Sequence, residues 1–262
     1  MTERGCWGFS PRIDELLRHR IYHKHTVDAM LQDRCVRITR ETGPALLESP
    51  DFDSYRFAEL RTRRFLLRAI TDQWGMHPER DPYGCLQRMA DFTAHIEDQF
   101  PSPDWPAARG FYRSPRDFAW GGTEEWVVAK GSDWCGEVAR VLCGLTQVCG
   151  IPSRIVYTYS QEDGHVIVEC FVDRAWVLVD PLASKVYRDP AGKPVSSVRM
   201  ALASRVEQEM LTQGHEGYYV AAPFFDFVGV SEYRLCEAEQ YCYDTSPCND
   251  YYDRLLRPMW NP

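Results

Sequence analysis

The chain has 262 residues, a formal net charge of −8 and ten cysteines. The length fits one large domain or two small ones, and 44% hydrophobic with 26% charged residues is ordinary globular usage with enough apolar material for a core. The acidic balance, pI about 5.4, argues against a general nucleic-acid binder, and no run reaches the roughly 18 apolar residues of a membrane span; Tyr218 to Val230 is broken by Pro223 and Asp226.

The opening stretch, MTERGCWGFSPRIDELLRHR, shows no apolar h-region. The expectation is therefore a cytoplasmic protein whose cysteines are reduced thiols rather than a disulfide framework. Ser10-Pro11 followed by Ile13, Leu16, Leu17 and Ile21 predicts a first helix. Its run Arg18-His19-Arg20 with His23-Lys24-His25 reads first as a solvated face and second as a dock for an acidic partner such as a carrier protein. Further helices are predicted from about Tyr55 to Trp74 and from Asp81, as N-cap, to Gln99. Residues 100–123 hold Pro101, Pro103 and Pro106, several aromatics and Gly121-Gly122, and read as a long irregular connection.

From Gly131 the pattern is regular. Val138, Val141, Leu142, Leu145 and Val148 mark one face of a helix that Gly150 ends and Pro152 keeps from resuming. Residues 154–160, 165–172 and 175–180 read as strands, the last two joined by the short polar turn Asp173-Arg174. A helix is expected from about Ser196 to Gln213, followed by the aromatic-rich run 224–233. The predicted organisation is a helical region over 1–100, a catalytic core over 101–195 and an extension over 196–262 completing the same domain.

Cys135 stands at the start of the helix, where the dipole and unsatisfied backbone N–H groups favour a thiolate and its own amide can donate to an oxyanion. Asp133 and Glu137 oppose that charge unless they point away, so a base is needed as well. His165 opens a strand after a glycine turn, and Asp180 ends the next strand. If Val172 and Ala175 flank the turn, paired numbers sum to 347 and Asp180 lies diagonal to His165. If the turn is centred one residue earlier, the sum is 345 and the two are directly opposite. Both registers put them on one face. That is the Cys–His–acid arrangement that activates a sulfur nucleophile. Against it, a cysteine is ordinarily a buried small hydrophobe, a strand histidine is usually structural, and an Asp before Pro is usually a turn former.

The segment 131–181 resembles the transglutaminase-like superfamily of cysteine enzymes: Gly131 and Cys135, then Gly150-Ile151-Pro152-Ser153-Arg154, then His165 with Glu169, then Trp176 with Asp180 and Pro181. The resemblance implies an α+β, papain-like fold in which a helix carrying Cys135 packs on an antiparallel sheet carrying His165 and Asp180. It implies Cys135 as nucleophile, His165 as general base and acid, and Asp180 as orienter. Members often complete the oxyanion hole with an upstream aromatic or amide side chain. Trp120 and Trp126 are the candidates here, with Tyr112 and Trp105 behind them, and packing of a loop on the core is the other reading of each.

The implied chemistry is acyl transfer through a thioester, forming or cleaving an amide bond in a peptide, amide or acyl-thioester substrate, with no cofactor. A catalytically silent domain used for binding or scaffolding is the alternative. Cys236, Cys242 and Cys248 are spaced by six, unlike zinc-ligand pairs, so no metal site is expected. No phosphate loop or dinucleotide fingerprint occurs, and neither nucleic acid nor membrane is an expected partner.

Overall fold

The structure is a computed structural model, and it describes residues 35–96, 124–130, 135–159, 164–212 and 227–235. In chain order these form β1 (Val36–Arg37), α1 (Gly43–Leu46), a 3-10 turn (Asp53–Tyr55), α2 (Phe57–Arg63), α3 (Phe65–Gln73), α4 (Pro82–Ala94), α5 (Glu124–Lys130) and α6 (Cys135–Val148). They continue with β2 (Ser153–Tyr159), β3 (Gly164–Val172), β4 (Ala175–Asp180), β5 (Lys185–Val186), α7 (Ser197–Leu202), α8 (Arg205–Thr212) and β6 (Phe227–Glu232). The strands make one antiparallel sheet in the order β1-β6-β2-β3-β4-β5. The class is α+β, as expected.

Both faces of the sheet are covered, which is why β2 to β4 read as nearly continuous apolar runs. On one face Val166, Val168, Cys170, Val177 and Val179 pack with Leu67, Leu86, Met89, Leu142 and Leu145 from α3, α4 and α6. On the other, Val156, Ile167, Leu178 and Val230 pack with Leu46, Val198, Met200 and Leu211 from α1, α7 and α8. The β3–β4 hairpin turns through Asp173 and Arg174, both with positive φ (49° and 64°), as a two-residue loop matching the strand twist requires.

Three predicted elements differ in detail. The helix expected over Tyr55–Trp74 is divided at Arg64, whose backbone (φ −103°, ψ 69°) leaves the helix. Its guanidinium then reaches Glu125 Oε2 at 3.2 Å and donates to the Leu235 carbonyl. The helix expected over Ser196–Gln213 is divided at Ala203, which is extended, and Ser204 recaps the chain by accepting from the Glu207 N–H. The third is α6. Its periodicity suggests one buried face, yet every residue from Gly136 to Val148 is buried, as befits a helix enclosed on all sides.

Candidate active site

Cys135 is the first residue of α6 and is half-buried against the core. His165 is the second residue of β3, paired with Thr158 of β2, whose hydroxyl donates to the His165 carbonyl at 3.2 Å. Asp180 closes β4. Val172 pairs with Ala175 and Val168 with Val179, so paired numbers sum to 347, the first of the two registers considered, and Asp180 is diagonal to His165. The side chains meet: His165 Nε2 lies 2.8 Å from Asp180 Oδ2, with both residues buried. The Cys135 thiol is near enough to act on the ring electrostatically. Cys135, His165 and Asp180, spread over 45 residues of sequence, are thereby brought to one end of the sheet.

Asp180 uses both oxygens. Its Oδ1 accepts the backbone N–H groups of Leu182 and Ala183, each at 3.0 Å. The turn-forming and histidine-holding readings of an Asp before Pro are therefore both satisfied by one carboxylate, one oxygen for each.

Burial by itself would lower the imidazole pKa. The charge and hydrogen bond of Asp180, joined by the nearby Cys135, outweigh it and push His165 up to about 10 from 6.5. Two neighbours of Asp180 gave no signal in the sequence. Lys185 pairs with it across β4 and β5; burial lowers the pKa of its ammonium while the Asp180 charge works the other way. Burial, reinforced by the same carboxylate, pushes the Tyr187 phenol well up, so it stays neutral.

The concern over Glu137 is answered by the interior of α6. Arg140 is buried beneath the site, with Nη2 3.1 Å from Glu124 Oε1 and Nε donating to Tyr233 Oη at 3.4 Å; Tyr233 Oη also donates to Glu124. Burial disfavours this guanidinium, but Tyr233, Glu124 and Glu137 around it drive its pKa upward. The buried Glu137 charge is thus met by a fixed cation. Asp133 lies outside the described residues.

Arg154, Glu169 and Trp176, which help carry the resemblance, are joined in a scaffold of their own. Arg154 Nε donates to Glu169 Oε2 at 2.7 Å and its Nη2 to the Leu46 carbonyl at 2.7 Å. Its guanidinium carbon stands 3.8 Å from the centre of the Trp176 ring. Glu169 accepts the Ser197 N–H at 2.6 Å and hydroxyl at 2.7 Å, which anchors the start of α7 to β3.

Trp120, Trp105 and Tyr112 lie outside the described residues, as do Cys236, Cys242, Cys248 and the basic run Arg18 to His25. Trp126 belongs to α5, but its side chain is likewise outside what is described. Among the described residues no group of three or more His, Cys, Asp or Glu could hold a metal ion, and no helix is long and apolar enough to cross a membrane.

A helix packed on an antiparallel sheet, with its first residue near a strand histidine, makes an α+β core consistent with a transglutaminase-like one. Residues 103–181 match the family model of the transglutaminase-like superfamily. No curated protein and no solved structure gives a significant match to the chain.

Proposed function

We propose that this protein is a cysteine-dependent acyl-transfer enzyme, with Cys135 as nucleophile, His165 as general acid and base and Asp180 as the group that orients the imidazole. The observation that carries this reading is the single buried imidazole hydrogen-bonded to Asp180 through Nε2 and subject to the electrostatic influence of the Cys135 thiol. With Nε2 occupied by the carboxylate, this reading gives Nδ1 the proton exchange with sulfur and leaving group. A His165 pKa of about 10 makes the ring an imidazolium at neutral pH, ready to face a thiolate and to give a proton to a leaving group.

In this reading the Cys135 sulfur attacks the carbonyl carbon of an amide, ester or thioester. The oxyanion that forms takes a hydrogen bond from the Cys135 N–H at the helix N-terminus. His165 protonates the departing amine, alcohol or thiol, leaving an acyl thioester on Cys135. A second nucleophile then gives its proton to His165 and displaces the sulfur. Water makes the enzyme an amidase or peptidase, and an amine makes it a transglutaminase or amide synthase. Water exclusion at the pocket decides between them.

The test is alkylation by iodoacetamide at neutral pH, with the modified cysteines located by mass spectrometry. Fast labelling of Cys135, slowed by His165→Ala, is expected, as is an acyl adduct on Cys135 after incubation with cell extract. Slow labelling of Cys135 that His165→Ala leaves unchanged would return the domain to a silent binding or scaffolding role.

A further inference from the structure

The break at Arg64 leaves a basic, exposed corner on an acidic chain. From Arg56 to Arg68, 13 residues hold five arginines and one glutamate, a local charge of +4 against −8 for the whole chain. Glu59 is met by Arg56 and Arg63, and Arg64 by Glu125. Among the described residues no carboxylate pairs with Arg61 or Arg68. Arg61 is exposed, and Arg68 donates to the Arg61 carbonyl at 3.2 Å with its guanidinium carbon 5.6 Å from the centre of the Phe65 ring. Phe65 and Leu66, the first residues of α3, are 65% and 39% exposed beside these charges.

We propose that residues 236–253 of this chain are an acidic strap that docks in cis across α2 and α3, with its carboxylates on Arg61 and Arg68 and its tyrosines over Phe65 and Leu66. That segment lies outside the described residues. It carries Glu237, Glu239, Asp244, Asp250 and Asp253 with no Lys or Arg, and four tyrosines among them. Its chemistry complements both parts of the corner. Carboxylates accept guanidinium N–H groups in charge-assisted hydrogen bonds, and tyrosine rings cover apolar side chains while keeping the hydroxyl in water.

The point of attachment selects this occupant. Leu235, the last described residue, is buried, and its carbonyl accepts from Arg64 Nη2 at 3.4 Å. The segment therefore starts at the basic corner itself. Its 18 residues reach up to about 60 Å when extended, and 13 residues of helix span only about 20 Å, so the whole face is within range. Tethering at Leu235 gives the segment a high effective concentration, which a free acidic partner would have to match. The docked strap would pin Tyr233 and Leu235, whose bonds with Arg140 and Gln147 support the helix that carries Cys135.

The experiment uses the full chain. Chymotrypsin cleavage after Tyr241 and Tyr243 is expected to be about fivefold slower in the wild type than in Arg61→Glu/Arg68→Glu at low salt, the size two exposed ion pairs support. The difference should vanish in molar salt, where such pairs are screened. Adding Glu237→Arg and Glu239→Arg to the reversed variant should restore protection. For contact, Arg61→Lys/Arg68→Lys keeps the charge and supplies amines, and carbodiimide should join one of them by an amide bond to a carboxylate of residues 236–253. A mixture of isotope-labelled and unlabelled protein should give that link within single chains. Equal cleavage of wild type and Arg61→Glu/Arg68→Glu, or no link to the tail, overturns the proposal. So do links that join labelled to unlabelled chains, which would put a second copy on the face. None of these readouts depends on the activity assigned to Cys135.

Discussion

Arg154 and Glu169 face each other across β2 and β3 as an ion pair closed to solvent, with side chains 1% and 0% exposed. A buried pair of this kind contributes little net stability over a well-packed apolar pair, but breaking it strands a charge. Glu169→Ala leaves the Arg154 guanidinium without its carboxylate and removes the acceptor of the Ser197 N–H and hydroxyl. The expected cost is about 3–5 kcal/mol, read from urea unfolding. A loss under about 1 kcal/mol, the range of an exposed pair, contradicts the structural role assigned to it.

His165 makes folding pH-dependent in a defined direction. Its pKa is about 10 in the folded chain against 6.5 for the free side chain. Between those values the folded state holds the extra proton, so this contribution is fully present below pH 6.5 and is lost as pH rises through about 10. Asp180→Asn removes the charge that sustains the shift while burial continues to lower the pKa. The wild type is expected to lose urea stability across this window more steeply than the variant. Parallel curves would show that the carboxylate does not hold the proton on the ring.

The turn that carries Asp180 is clamped from outside the region that matches the family. Gln87 of α4 donates from Nε2 to the Ser184 carbonyl at 2.7 Å, Asp91 accepts the Ser184 hydroxyl, and Thr93 donates to the Pro181 carbonyl at 3.3 Å. These contacts fix the backbone whose N–H groups grip Asp180 Oδ1. Asp91→Leu is expected to slow iodoacetamide labelling of Cys135 roughly tenfold, because small misplacements of a reacting group are costly. Since Asp91 is only half-buried, the stability change should stay near about 1 kcal/mol. An unchanged labelling rate would dismiss α4 as a positioning element.

The local parts of this architecture are legible in the sequence, and the distant pairings are not. Cys135–Val148, the Asp81 cap and the β3–β4 register follow from periodicity, capping and turn length, which act over a few residues. The insertion of β6 between β1 and β2 and the Glu124–Arg140–Tyr233 group join positions far apart in the chain. Neither has a short-range signature. The polar residues of α6 mislead for the same reason: Glu137, Arg140, Thr146 and Gln147 look like a solvated face, yet all four are buried. Gln147, for example, donates to the Tyr233 carbonyl at 2.7 Å and accepts the Leu235 N–H at 2.9 Å.

At Gly144, α6 lies close against α3 and α5. A Cβ there would stand 2.9 Å from Leu67 Cδ1 and 3.3 Å from Glu124 Cγ. Leu67 is fully buried, and Glu124 is held by Arg140 and Tyr233, so neither can yield without disturbing its own contacts. Helix propensity alone favours alanine over glycine by about 1 kcal/mol, whereas overpacking a closed core costs about 1–3 kcal/mol. Because one crowded side chain, Leu67, is closed in the core and the other, Glu124, belongs to a buried ion pair, the second effect should win. Gly144→Ala is expected to lower stability by about 1–2 kcal/mol, measured by thermal or urea unfolding. A stabilised variant would mean that α3 and α5 sit further from α6 than these contacts require.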